Sequence, residues 1–280
     1  MMRDRLTARR RGMTIVEVLL SLIILGVFGS AGVRLLRSQT TFYDTQLKQR
    51  EARAVSRAAV NMVLSELRMV ESSGGVESVS ADAITLRVPY AMGMFCGNAS
   101  GASVIALLPT DSTVLANAIP SGHAARDVRG TYTYTSGALT VGAGNAAVCT
   151  AASITALTGA QVVAVTPVVP ASASPGDIVF LYQRLRYEFA NSAVLAGRRA
   201  LWRVMVDANT REELAAPFDT ASRFRFFQFD RDTSDATANA ADVRGIELVF
   251  DAASQASRAG TSSAERSSFR TSVFFNNRLN

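Results

Sequence analysis

The chain has 280 residues, with 29 Lys and Arg against 23 Asp and Glu, and 48% of its residues are hydrophobic while only 19% are charged. This composition excludes a charged, disordered chain. One His and two Cys cannot supply a four-ligand Cys/His zinc site, and a Ser-His-Asp triad would have to use His123. His123 has no acidic partner close to it in sequence, which favours an exposed loop histidine. We therefore expect a protein that is not an enzyme.

A basic segment precedes a long apolar segment at the start of the chain. Residues 1–12 carry five arginines and one aspartate, and residues 13–33 are apolar over a length that crosses a hydrocarbon layer about 30 Å thick. The positive charge predicts that this end stays in the cytoplasm and that the rest of the chain is exported. A secretory signal peptide cleaved near Gly29-Ser30-Ala31 would have the same charge order.

Glu17 distinguishes this segment from a signal peptide, because a carboxylate inside an apolar helix costs roughly 2.5 to 3.5 kcal/mol to insert. It lies five positions after Gly12, and arginines 9–11 come directly before Gly12. This boundary resembles the N-terminal motif of type IV prepilins and of the pseudopilins of type II secretion. The alternative is a plain signal anchor in which Glu17 reaches out to the membrane interface.

The resemblance implies how the N-terminus is processed. In that family a membrane-embedded prepilin peptidase cuts after the Gly and methylates the new terminal amine, so residues 1–12 become a leader and Met13 the mature N-terminus. The family's first mature residue is usually Phe, and here it is Met13. A carboxylate in lipid also needs a cationic partner, and the amine of Met13 on a neighbouring subunit lies at the matching depth. Met13 and Glu17 are therefore predicted to act in subunit assembly.

One nearly continuous helix is predicted from residue 13 to about residue 72. Residues 13–33 would form its membrane and filament-core half, and residues 34–75 its exported amphipathic half. Apolar residues recur with helical periodicity in the second half. The face that they predict consists of Leu47, Ala54, Val55, Ala58, Ala59, Met62, Val63, Leu67 and Val70.

Residues 76–280 are predicted to form a β-rich domain, because short alternating runs are separated by turn residues. The predicted strands are 84–90, 103–108, 131–135, 138–141, 161–169, 178–189, 199–206, 224–229, 243–250 and 268–275. Ser136-Gly137 predicts a hairpin between the third and fourth of these, and residues 215–222 a short helix. The fold class is α+β: a long pilin-like helix packed on an antiparallel β-rich domain.

Part of the β-rich region also resembles that family. The predicted hairpin 185–204, which turns at Gly197, is similar to the central hairpin of PilW-type minor pilins and GspJ-type pseudopilins. Residues 93–175 are interpreted as an insertion, and they contain Cys96 and Cys149. Because an exported location permits oxidation, we favour a disulfide between these two cysteines over two free buried thiols.

Two further binding functions have weaker support. Asp230, Asp232 and Asp235 are candidate calcium ligands, but their spacing lacks the Gly and the distal Glu of a known loop, and Arg231 competes for them. A solvated turn is favoured, and no cofactor is expected. Aromatics interleaved with Arg at 224–226 would suit nucleic-acid stacking. Alternation on a strand explains them more simply, so we do not expect a nucleic-acid partner.

These observations lead to the hypothesis of a minor pilin that primes or caps a type IV pilus together with other minor pilins. Its implied partners are prepilin peptidase, the major pilin and the inner-membrane assembly platform. The predicted location is the bacterial inner membrane, as a single-pass protein with an extracytoplasmic domain. A minor pseudopilin of a type II secretion system is the first alternative. The second is an exported module that binds DNA or a surface, for adhesion or uptake.

Overall fold

The structure, a computed structural model, describes residues 14–71, 73–116, 118–127, 130–135, 137–257 and 263–275. Gly12 and Met13 lie outside the described residues. The helices are α1 (Ile15–Leu67), α2 (Pro109–Leu115) and α3 (Ala146–Ala151), with a short 3-10 helix at Ala240–Asp242. The single long N-terminal helix predicted from the sequence is confirmed, and it ends five residues earlier than expected.

Among the described residues, fourteen strands follow α1. They are β1 (Val76–Val79), β2 (Ala83–Ala99), β3 (Ala102–Leu107), β4 (Gly122–Arg126), β5 (Tyr132–Thr135), β6 (Thr140–Ala143), β7 (Val162–Thr166), β8 (Ile178–Asn191), β9 (Arg199–Met205), β10 (Thr210–Phe218), β11 (Arg223–Gln228), β12 (Ser234–Asp235), β13 (Val243–Ser257) and β14 (Ala264–Phe274). Each of the ten predicted strands corresponds to one of these. The sequence missed β1, β4, β10 and β12.

The strands form one antiparallel sheet. Its main order is β12-β11-β13-β10-β9-β8-β2-β3-β7-β6, while β1 pairs with β2, β14 with β13, and β4 with both β8 and β5. The α+β class predicted from the sequence is therefore correct. Residue 93, the predicted start of an insertion, lies inside β2, which runs without interruption along β8 on both sides of it.

The second half of α1 packs on β13 and β14, with β10 alongside. Its buried residues recur every one to four positions, as expected for one face of a helix, and they are Ala52, Ser56, Ala59, Val60, Val63 and Leu67. Three of the six are Ala or Ser, which allows the helix backbone to approach the sheet closely.

The predicted helix face is only partly correct. Ala59, Val63 and Leu67 are buried, but Ala54 and Ala58 are exposed. The buried stripe is turned toward Ala52 and Ser56, because α1 lies over β13 and β14. The predicted side faces an open groove between α1 and β10.

Two other local predictions are wrong. Within the described residues, β5 and β6 do not pair with each other as the hairpin expected at Ser136-Gly137 requires: β5 pairs with β4, and β6 pairs with β7. Ser136 itself lies outside the described residues. The expected helix at 215–222 is instead the end of β10, where Ala215 pairs with Leu201, followed by a turn at 219–222. In both places pairing with another strand overrides the local pattern.

The two largest apolar cores among the described residues lie on different parts of the sheet. Beneath α1, the rings of Phe189, Phe218, Phe224 and Phe250 have centroids 5.3 to 6.3 Å apart, within the range of favourable aromatic pairs. A second core, away from α1, contains residues of β2, β3, β7 and β8. Beside it Cys96 and Cys149 form the predicted disulfide bond, with their sulfur atoms 1.97 Å apart.

A polar cluster fastens the end of α1 to the sheet. Arg203 donates a hydrogen bond from Nε to Oε1 of Glu66 at 3.0 Å, and its Nη2 lies 2.9 Å from the same oxygen as an ion pair. The hydroxyl of Tyr187 donates to Oε2 of Glu66. Burial raises the pKa of Tyr187, and the adjacent Glu66 carboxylate raises it further, so the hydroxyl keeps its proton. This cluster joins α1 to β8 and β9.

Replacing Glu66 with Ala is expected to lower the free energy of unfolding by about 2 to 4 kcal/mol, because it leaves Arg203 and Tyr187 without their shared acceptor. Urea denaturation of the detergent-solubilised protein measures the change. The control is Arg186→Ala, which removes a pair with Glu188 at 2.9 Å whose arginine side chain is 48% exposed. That change is expected to cost less than about 1 kcal/mol. Equal losses in the two variants would contradict the role given to the cluster.

The disulfide closes a loop with a sequence separation of 53 residues. In the chain-entropy model, loss of this cross-link lowers the free energy of unfolding by about 4 kcal/mol. We expect Cys96→Ser to lower the melting temperature, and dithiothreitol to lower that of the wild type but not of the variant. Alkylation of Cys96 in protein that has not been reduced would show that the bond is absent.

Candidate functional site

No other part of the described chain covers the first half of α1. Residues 14–43 are exposed, and the first fully buried residue of the helix is Ala52. Ile15 is 80% exposed and Phe28 is 72% exposed. Of the helices described, α1 alone is long and apolar enough to cross a membrane. At 1.5 Å per residue, its 53 residues are about 80 Å long, and residues 15–36 alone span about 30 Å.

The polar groups inside this apolar segment are satisfied by the helix itself. The hydroxyl of Ser21 donates to the carbonyl of Glu17 at 2.8 Å, and that of Ser30 to the carbonyl of Val27 at 2.9 Å. Such bonds remove the main obstacle to placing Ser in lipid. Gly26 and Gly29 have open space where a side chain would begin, so another helix can approach closely here.

Glu17 and Thr14 form a capping box at the helix N-terminus. The backbone N–H of Glu17 donates to Oγ1 of Thr14 at 3.3 Å, while the backbone N–H and the hydroxyl of Thr14 donate to Oε2 of Glu17 at 3.2 and 3.4 Å. The partial positive charge of the helix N-terminus also favours a carboxylate in the first turn. Glu17 is thus bound within its own chain, an interaction that the sequence analysis missed although Thr-x-x-Glu is its signature.

The three candidate calcium ligands are engaged by arginines. Asp230 and Asp235 lie 3.7 and 2.8 Å from Arg231, and Asp232 lies 3.2 Å from Arg244. Among the described residues, no group of three or more His, Cys, Asp or Glu side chains is placed to hold a metal ion.

The sequence suggested that His123 lies in an exposed loop, and this prediction is wrong. It is fully buried on β4, where its Nε2 lies 2.8 Å from the carbonyl oxygen of Pro167. Burial lowers the pKa of His123, while the bond to Pro167 acts in the opposite direction. The neutral ring with its proton on Nε2 fits this position. β4 was missed because Gly122 to Arg126 contains no β-branched or large apolar residue.

A groove of about 600 Å³ in the β domain is lined by apolar residues that include Met69, Met92 and Leu185. Glu66 and Arg203 at its border are bonded to each other. The groove is thus mainly an apolar depression beside the end of α1.

Comparison of the chain with protein-family models, with curated proteins and with solved structures finds no match in any of the three. The structure by itself defines a class: an α+β protein with one long, membrane-capable N-terminal helix and an antiparallel sheet domain.

The buried His123 predicts that acid destabilises the fold. Because its pKa in the folded protein lies below the ordinary value of 6.5, the unfolded chain binds more protons below that pH. The contribution of the neutral His123 ring to the free energy of unfolding is complete above pH 6.5. It is lost as the pH falls toward the pKa of the folded state, at a rate of at most about 1.4 kcal/mol per pH unit. We expect the free energy of unfolding to fall more from pH 7.5 to 5.5 in the wild type than in His123→Gln.

Burial raises the pKa of Glu71, so this residue changes the free energy of unfolding with pH in the opposite direction to His123. Its effect is the same in the wild type and in His123→Gln. The difference between the two pH profiles therefore isolates His123. Parallel profiles would contradict a neutral buried histidine.

Proposed function

We propose that this protein is a minor pilin of a type IV pilus and that it primes or caps filament assembly together with other minor pilins. The observation that carries the proposal is the two-part helix α1. Its second half is bound to the sheet, and its first half is exposed, apolar and capped by Glu17. The apolar side chains of this first half need to be shielded from water, and the described part of the folded chain does not shield them.

Two environments cover an apolar helix of this length. Lipid does so while the subunit waits in the inner membrane, and the helices of neighbouring subunits do so in a filament. The proposed action is non-covalent: the assembly platform moves the subunit from the first environment to the second. Prepilin peptidase would first cut between Gly12 and Met13 and methylate Met13.

The capping box suggests how Glu17 would act in both environments. Both hydrogen bonds that its carboxylate accepts from Thr14 end on Oε2, and Oε1 accepts none from the described residues. In the membrane, the hydrogen bonds from Thr14 lower the free-energy cost of placing the Glu17 carboxylate in lipid. In a filament, Oε1 offers an acceptor for the terminal amine of Met13 on a neighbour. A minor pseudopilin of a type II secretion system would use the same contacts and remains the alternative; neighbouring genes for a twitching system or an exoprotein channel would distinguish them.

The decisive test is mass spectrometry of the N-terminus of the mature membrane protein. The proposal expects a chain that begins at N-methylated Met13. A chain that begins near Gly32 would identify a secretory signal peptide, and an unprocessed chain a signal anchor; either result would exclude the proposal.

Glu17→Ala is expected to leave cleavage after Gly12 intact and to reduce recovery of the protein with sheared filaments by at least about tenfold, a change equal to 1.4 kcal/mol. The matched control is Thr14→Val, which removes the hydroxyl of the capping box and retains the carboxylate. We expect near-normal recovery for this control. Normal recovery of Glu17→Ala would contradict the assembly role of Glu17.

A further inference from the structure

The strand β14 forms a long, open edge of the sheet. Its 11 residues pair with β13 along one side, and no described strand pairs with its other side. The strands β1, β5, β6 and β12, which lie at other margins of the sheet, have only two to four residues each. Short edge strands are a common protection against unwanted pairing. At β14 this protection is absent.

The backbone of β14 presents hydrogen-bonding groups to the open side. The N–H of Phe275 donates to the carbonyl of Arg244 at 2.9 Å, and the N–H of Glu265 donates to Oγ of Ser254 at 3.1 Å. The odd-numbered residues therefore face β13, and the register is unbroken from Arg266 to Phe274. Because directions alternate along a strand, the N–H groups that face the open side belong to Arg266, Ser268, Arg270, Ser272 and Phe274.

The two faces of β14 differ in character. The even-numbered residues from Arg266 to Phe274 are exposed, whereas Phe269 and Val273 pack at the border of the core beneath α1. A strand added to this edge would therefore have one face in solvent and one face continuing the apolar layer beside α1. The complementary segment alternates polar and apolar residues.

The exposed face carries unneutralised positive charge. Arg270 lies opposite Val249, which in turn lies opposite Arg223, so the two arginines flank one residue in a single row. They border a depression of about 430 Å³ together with Arg225 and Glu247, which pair with each other. Neither the Arg223 nor the Arg270 side chain has an ion pair or a hydrogen bond within the described part of the chain. Arg266 is also on this face, although it pairs with Asp219 at 2.9 Å.

This charge decides which strand fits. Antiparallel pairing of two copies of β14 would bring the arginines of both copies onto one small surface, and like charges on neighbouring strands are destabilising. A segment with carboxylates at alternate positions would instead be attracted to Arg270 and Arg223.

We propose that the open edge of β14 binds an extended, acidic segment of a partner protein by strand addition. Backbone bonds to the even-numbered residues would provide affinity, and Arg270 would select carboxylates on the exposed face. If the protein is a minor pilin, as proposed above, the partner is another subunit of the same assembly. The binding itself is tested without filaments, so it fails or succeeds independently of N-terminal processing.

The test uses the full-length protein in detergent and two fluorescein-labelled eight-residue peptides, one alternating Asp with Val and one alternating Lys with Val. Fluorescence anisotropy is expected to show binding of the Asp peptide and at least about tenfold weaker binding of the Lys peptide. Arg270→Glu should reverse this preference.

Proline substitution tests the backbone bonds. Ser268→Pro removes an N–H that faces the open side and leaves the bonds to β13 in place, a position where an edge strand tolerates Pro. We expect it to weaken binding of the Asp peptide by about fivefold or more, while Ser268→Ala, which keeps the N–H, binds normally. Thermal melting confirms that the variant is folded, and Ser272→Pro repeats the test at a second position if Ser268→Pro unfolds.

Several outcomes would overturn the proposal. These are no binding of the Asp peptide, equal binding of both peptides, and binding that neither proline variant weakens while the protein stays folded. Sedimentation that shows a dimer lost in Ser268→Pro would make the edge a contact between copies. Retention of a single-stranded oligonucleotide that Arg270→Glu abolishes and Ser268→Pro preserves would assign this face to nucleic acid.

Discussion

The contact between the second half of α1 and the strands β13 and β14 sets the geometry of the whole molecule. Ala52, Ser56 and Ala59 are small enough to bring the helix close to the sheet, and Glu66 is bonded to Tyr187 and Arg203 near its end. A helix satisfies its own backbone along its length, so it continues in the same direction where it leaves the sheet. The orientation of the exposed apolar half therefore follows from packing at the other end.

This arrangement separates two tasks along one helix. The buried half contributes to the core beneath it, where Phe189, Phe224 and Phe250 pack together. The exposed half contributes nothing to the folding of the domain and leaves a large apolar surface that needs lipid or other helices. Thr14 and Glu17 mark the beginning of that surface with a polar group already bound to the helix N-terminus.

The rest of the sheet divides in a similar way. The part that carries the Cys96–Cys149 bond lies away from α1 and has its own apolar core. The part beneath α1 ends in the open edge of β14. Both surfaces proposed to meet other proteins, the apolar half of α1 and the edge of β14, thus belong to or adjoin the helix. A partner bound at β14 would lie beside this same membrane-capable helix.

The sequence alone was sufficient for the features that depend on neighbouring residues. The apolar segment, the continuous helix, ten of the strands and the α+β class all follow from local periodicity, which reports how a segment divides between water and an apolar phase. The position of Glu17 within that segment is also read directly from the sequence. A disulfide between Cys96 and Cys149 was favoured over two free thiols because an exported location permits oxidation.

Only the tertiary structure decided which faces and edges meet. The helix face is turned toward Ser56 because α1 lies over β13 and β14, and β4, with a sequence of Gly, His, Ala and Arg, is a strand because β5 and β8 pair with it. The bond between Glu66 and Arg203 joins residues 137 positions apart, and no local pattern encodes such a distance. Burial of His123 and the open side of β14 also depend on the order of strands in the sheet. That order is set by the free energy of the whole core, which is a sum over contacts between distant segments.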